Sequence, residues 1–180
     1  MQGIYLQFKE FSDNRREIMD KLKSGDKAPD FTLRDQNGNI MKLTDFRDKK
    51  KILLYFYPKA LTAVCTVQAR EVSAARESLA DLGIEAIGIS PDMPAVLKKF
   101  DNNLELNFPL LSDADHSVAA AYGVWGEKNI YGKNFYGVIR SSFLIDENSQ
   151  IIQAWYKVRP KDTVPKALHV FNPLVPKSPG

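Results

Sequence analysis

The stretch Lys51–Tyr57 (KILLYFY) constrains this chain most. It is a continuous apolar run of strand formers with no polar alternation, which suits a central strand covered on both faces. Pro58 ends it, because proline cannot donate to a sheet ladder. Ile84–Ser90 (IEAIGIS) repeats the pattern as a second buried strand. Between the two, Val72, Ala75, Leu79 and Leu82 recur at near-helical spacing with charges between them, and Gly83 follows. This predicts one helix running from Thr66 to a glycine C-cap. Strand, helix and strand in that order make a parallel βαβ unit.

The remaining segments extend that unit. Phe31, Leu33, Ile40 and Leu43 bracket Asp35–Asn39, whose Asn37-Gly38 pair favours the positive φ angles of a tight turn, so a short hairpin is expected. Pro91–Asn103 reads as a helix with Val96, Leu97 and Phe100 inward. Phe108–Leu111 reads as a short strand, and Ser112–Asp115 offers N-caps for a helix over His116–Tyr122. Val124–Gly137, rich in glycine and aromatics, reads as a loop. Ser142–Asp146 and Ile151–Tyr156 form a second hairpin, and Thr163–Phe171 a last helix. The order predicts one α/β domain with a mixed central sheet and helices on both faces. Its expected limits are residues 25–172, after a polar extension (1–24) and before a proline-rich tail (173–180). Ile4, Phe8, Phe11, Ile18 and Leu22 make one or two helical pieces the expectation for the extension.

Composition excludes several function classes. A net charge of +3 over 180 residues, with no basic stripe beyond Lys49–Lys51, gives no nucleic-acid footprint. No apolar run approaches a membrane span, and the N-terminus has no signal-type apolar region, so a cytoplasmic chain is expected. One cysteine excludes an internal disulfide and a Cys-x-x-Cys pair. With His116 and His169 the only histidines, no metal site is expected, and no cofactor is implied.

Cys65 lies between a buried strand and a helix. The carboxyl end of a strand in an α/β sheet is where reactive groups collect. The first turn of a helix offers free N–H groups and the positive end of the helix dipole, both of which favour an anion such as a thiolate. The location therefore predicts a reactive sulfur, set against the alternative that a lone cysteine is a small core residue.

Pro58, Thr62 and Cys65 fall at P-x-x-x-T-x-x-C spacing directly after the buried strand. This resembles the peroxidatic motif of peroxiredoxins, and Tyr55–Ala69 (YFYPKALTAVCTVQA) is similar to the bacterioferritin-comigratory-protein or PrxQ subgroup. GDKAPDFTLRDQNG, LLSDADH (Leu110–His116), YGVWGEK (Tyr122–Lys128) and RSSFLID (Arg140–Asp146) resemble the same subgroup in the same order. The resemblance covers roughly Gly25 to Phe171. It implies a thioredoxin-like fold and reduction of hydroperoxides, hydrogen peroxide and organic peroxides alike. On this basis Cys65 is the nucleophile that becomes a sulfenic acid. Thr62 hydrogen-bonds the thiolate and orients the peroxide, and Pro58 shields the sulfur. Arg140 stabilises the thiolate and the leaving oxygen. The backbone N–H groups of Val64 and Cys65 bind the peroxide oxygens.

The chain departs from the subgroup twice. Ala63-Val64 stands where Pro-Gly is usual, which alters the loop that cradles the peroxide. Arg70 stands where many members carry a resolving cysteine, and Pro91–Asn103 has none either. A sulfenic acid at Cys65 then needs an external thiol: thioredoxin, glutaredoxin, glutathione or a second copy. The expectation is a one-cysteine thiol peroxidase, as a monomer or weak dimer. A non-catalytic redox sensor on the same fold is the alternative.

Overall fold

The structure, a computed structural model, describes residues 21–173. Ile4, Phe8, Phe11 and Ile18 of the expected helical extension, and positions 174–180 of the tail, lie outside the described residues.

Seven strands form one mixed sheet. In chain order they are β1 (Thr32–Asp35), β2 (Ile40–Lys42), β3 (Lys51–Phe56), β4 (Ile84–Ser90), β5 (Leu110–Ser112), and, after a separate hairpin, β8 (Ser141–Ile145) and β9 (Ile151–Trp155). Across the sheet the order is β2-β1-β5-β4-β3-β8-β9. β3 lies parallel to β4 and antiparallel to β8, and β4 lies parallel to β5. The expected mixed sheet with parallel βαβ units and a closing antiparallel hairpin is what forms. β3 is central because its side chains are apolar on both faces. Leu53, Tyr55 and Tyr57 enter one core cluster, and Ile52, Leu54 and Phe56 enter the other.

The helices are α1 (Ala63–Ala74), α2 (Arg76–Asp81), α3 (Pro94–Leu104), α4 (Ser117–Ala121) and α5 (Thr163–Phe171). The first cluster holds Ala69 and Val72 of α1, Leu79 of α2, Leu97 and Phe100 of α3, and Val164 and Ala167 of α5. The opposite face is closed by Val118 and Ala119 of α4 with Tyr122, Phe31 and Leu43. Both faces are thus covered, as a strand without polar alternation requires.

The single helix expected up to Gly83 is two pieces. Ala75 donates its N–H to both the Glu71 and Val72 carbonyls, a local tightening from an α to a 3₁₀ turn that ends α1. Gly83 closes the second piece at φ +69°. α3 begins at Pro94 rather than Pro91, because Pro91–Met93 is the turn that leaves β4. The α4 cap is the Asp113 carboxylate, which accepts from the N–H groups of Val118 and Ala119.

The larger correction concerns Val124–Gly137. The expected loop is a two-stranded antiparallel hairpin, β6 (Trp125–Ile130) and β7 (Lys133–Val138), outside the main sheet. Ile130 faces Lys133 in the register, so the turn is Tyr131-Gly132, with φ +52° and +77°. Positive φ at both central residues is the two-residue turn whose twist matches that of its strands. Tyrosine at the first of these positions is an unusual occupant, which hid the turn in the sequence.

Candidate active site

β3 ends at Phe56, and the chain crosses to α1 through Tyr57–Thr62. Within this crossing Ala60 donates its N–H to the Asp92 carboxylate at 2.7 Å, and Ser90 Oγ donates to the same oxygen at 2.8 Å. Asp92 thereby ties the crossing to the end of β4. Leu61 takes φ +63°, a left-handed conformation that costs a non-glycine residue of order 1 kcal/mol or more.

Thr62 is the N-cap residue of α1. Its hydroxyl donates to the Lys59 carbonyl at 2.9 Å and makes no cap bond to the helix. The first backbone bond of α1 runs from Thr66 N–H to the Thr62 carbonyl. The amides of Ala63, Val64 and Cys65 precede it and are the unpaired donors of the first turn. Cys65 is therefore inside the first turn, the third residue of α1. It is 2% exposed, whereas Val64 is 53% exposed. Pro58 is half-buried at the start of the crossing.

Arg140 immediately precedes β8, which pairs directly with β3. Its Nη2 lies 3.3 Å from Cys65 Sγ. Its Nη1 donates to Gln68 Oε1 in a close contact. Gln68 is fully buried, and its Nε2 donates to Thr163 Oγ1 at 2.8 Å. The guanidinium is thus held by a neutral partner, itself fixed by the first residue of α5. A neutral partner leaves the positive charge of Arg140 available to the sulfur. Among the described residues no carboxylate forms an ion pair with Arg140.

The floor is apolar and aromatic. Tyr55 and Tyr57 stack with ring centroids 5.5 Å apart and are 1% exposed. Burial pushes both phenols well above the ordinary tyrosine range, so both are neutral at physiological pH.

The structure brings Cys65, Arg140 and the free amides of Val64 and Cys65 together. It places the Thr62 hydroxyl on the Lys59 carbonyl at the rim of the same turn. Gln68, Thr163 and Asp92 are absent from the sequence expectation. Gln68 had a signal: at three residues past Cys65 it shares that residue's face of α1. Asp92 and Thr163 had none, since their partners are 32 and 95 residues distant in sequence.

Comparisons with known proteins agree with one another. The AhpC/TSA family matches residues 24–154. Peroxiredoxin Bcp of Escherichia coli (strain K12) is 48% identical over 133 residues, covering 74% of this chain and 85% of the relative. The crystal structure of peroxidoxin BcpB from Mycobacterium tuberculosis superposes with a TM-score of 0.75 at 30% identity, covering 85% of this chain and 98% of that one. A Xanthomonas campestris bacterioferritin comigratory protein, described for its alkyl peroxide reduction activity, superposes with a TM-score of 0.74 at 29% identity, covering 81% and 92%.

Proposed function

This chain belongs to the AhpC/TSA family, in its Bcp/PrxQ peroxiredoxin group, and from that premise we propose that Cys65 is the peroxidatic nucleophile of a one-cysteine thiol peroxidase. The approach of Arg140 Nη2 to Cys65 Sγ carries this reading. A guanidinium held 3.3 Å from the sulfur can interact with the charge that passes between sulfur and peroxide.

The thiolate attacks the terminal oxygen of the hydroperoxide. A new S–O bond forms as the O–O bond breaks, giving Cys65 sulfenic acid and an alkoxide or hydroxide that takes a proton and leaves as alcohol or water. Arg140 and the amides of Val64 and Cys65 hold the charge that develops on the departing oxygen. The Thr62 hydroxyl, now on Lys59, orients the peroxide by turning toward it. Pro58 walls the sulfur from water.

The chain holds one cysteine, so the second half of the cycle uses external thiols. One thiol condenses with the sulfenic acid, forming a mixed disulfide and releasing water. A second thiol reduces that disulfide, restoring Cys65 and leaving the reductant oxidised. Thioredoxin, glutaredoxin and glutathione supply such thiols, and a cytoplasmic setting keeps them reduced.

The test is a coupled peroxidase assay with each reductant against hydrogen peroxide and cumene hydroperoxide, with Cys65→Ser as blank. Rapid turnover that Cys65→Ser lacks, with a dimedone-trapped sulfenic acid at Cys65, is expected. A mixed disulfide without turnover would assign the chain to redox sensing instead.

A further inference from the structure

The hairpin β6–β7 ends two residues before Arg140, and one of its side chains turns back toward the site. Lys128 Nζ donates to the Val138 carbonyl at 2.7 Å. To reach it, the lysine chain crosses Gly137, where a Cβ would stand 3.3 Å from Lys128 Cδ. Lys128 pairs with Phe135, and Gly126 with Gly137, so these four residues share one face of the hairpin. On that face Gly137 leaves the space along which the lysine chain lies flat. Lys128 is half-buried, and among the described residues no carboxylate pairs with it.

We propose that Lys128 is a second cationic residue of the Cys65 site, fixing the Val138–Arg140 segment through the Val138 carbonyl and adding its charge to that of Arg140 in holding the sulfur as thiolate. The Val138 carbonyl that holds Lys128 lies two residues before Arg140, and Arg140 Nη2 lies 3.3 Å from Cys65 Sγ, so the lysine is fixed at the base of the segment that carries the guanidinium to the sulfur. The electrostatics agree with the geometry. Loss of solvent and the Arg140 charge both pull the Lys128 ammonium below the usual lysine range, and Cys65 opposes that shift. The other titratable groups facing Cys65 do not duplicate this role. Tyr55 of β3 and Tyr57 just after it are neutral, the Asp92 carboxylate is engaged by Ser90 and Ala60, and in the turn before α5 the Asp162 carboxylate is paired with Arg159. Lys128 touches no reacting atom, so it is a positioning residue.

The proposal rests on Cys65 as the reactive thiol, and its test separates the two. The rate of iodoacetamide alkylation of Cys65 is followed against pH in the reduced full chain, for wild type, Lys128→Met, Lys128→Arg and Lys133→Met. Lys133 lies exposed on the same hairpin and controls for bulk charge. Lys128→Met is expected to raise the midpoint of the profile by about half a pH unit and to lower the thiolate fraction below the midpoint about threefold, since one unit is a tenfold change. Lys128→Arg and Lys133→Met should keep the wild-type midpoint. The second-order rate with hydrogen peroxide should fall several-fold in Lys128→Met alone. An unmoved midpoint in Lys128→Met, or an equal shift in Lys133→Met, overturns the proposal. Absence of peroxide reduction in wild type would instead sink the peroxidase reading and leave the alkylation result standing. A circular dichroism melt distinguishes a lost charge from a melted hairpin: a Lys128→Met chain whose unmoved midpoint accompanies a native melt counts against the role.

Discussion

The β3–α1 crossing, which leads to Cys65, and the β6–β7 hairpin, which ends two residues before Arg140, are built on different physics. The crossing grows from a strand whose side chains Ile52–Tyr57 are all at most 1% exposed. Its geometry is set by neighbours on both faces and by long-range bonds from Asp92 and Arg140. The hairpin exposes Ile130, Tyr131, Phe135 and Tyr136 and pairs with no strand of the main sheet. It is held by its turn, its ladder and a few side chains such as Lys128. The first region owes its shape to burial, and the second to local backbone chemistry. Substitutions in the first should therefore cost stability, and those in the second should change function with the fold intact.

The largest effect belongs to the sheet core. Phe143, fully buried, meets Phe56, Tyr122 and Tyr156 edge-on with centroids 5.0–5.9 Å apart. Phe143→Ala removes that contact and leaves a cavity, and should lower unfolding free energy by about 3–5 kcal/mol in a denaturant titration. A loss under about 1 kcal/mol would mean the core around β8 does not depend on burial as stated.

Next comes Arg140. Arg140→Met should reduce kcat/KM for hydrogen peroxide about a hundredfold, the scale of removing one preorganised charge donor. Its stability should fall by about 1–2 kcal/mol, because the buried Gln68 Oε1 loses its donor. Arg140→Lys should recover part of the rate at most. A lysine supplies a point charge and cannot hold Gln68 and Cys65 with separate nitrogens in one plane. Unchanged rates in both variants would remove Arg140 from the site.

These residues also mark how far the sequence could be followed. KILLYFY was legible as a central strand because burial on both faces restricts every position to apolar residues. The same restriction made Ile84–Ser90 legible to the residue, whereas Thr163–Phe171 was legible through the apolar face of an amphipathic helix, with Val164 and Ala167 inward. The place of Cys65 in the first turn of α1 was legible because a strand-to-helix junction can be read before any partner is known. The meeting of Arg140 with Cys65, 75 residues apart, followed from no local pattern, and only a family resemblance placed it there. The hairpin stayed hidden because exposed strands are not restricted to one residue type, and Tyr131-Gly132 is a rare form of its turn. Thr62 shows the limit at a single atom: sequence gives the hydroxyl a helical turn from the sulfur, while the rotamer that puts it on the Lys59 carbonyl depends on the crossing around it.

Gln68 joins the two kinds of control, since it is buried and yet bonded to Arg140. Gln68→Leu keeps the volume but leaves Arg140 Nη1 and Thr163 Oγ1 without this partner. The rate with hydrogen peroxide should fall about tenfold, and stability by about 1–2 kcal/mol for the orphaned buried groups. A stability loss with no loss of rate would make Gln68 a core residue and nothing more.

The smallest effect tests the hairpin face by face. Phe135 lies opposite Lys128 in the ladder and shares its face, while Tyr136 lies opposite Glu127 on the other. Side chains alternate along a strand, so a peroxide entering over Lys128 passes Phe135 and not Tyr136. A hydrogen peroxide molecule is too small to gain from an apolar wall, whereas the ring of cumene hydroperoxide does gain. Phe135→Ser should raise KM for cumene hydroperoxide about threefold, the scale of a lost partly exposed apolar contact, and leave hydrogen peroxide turnover unchanged. Tyr136→Ser, although it removes the more exposed ring at 67%, should change neither. Equal effects of the two substitutions would show that the hairpin acts only by its general stability. An effect of Tyr136→Ser alone would place the peroxide entrance on the opposite face, away from Lys128.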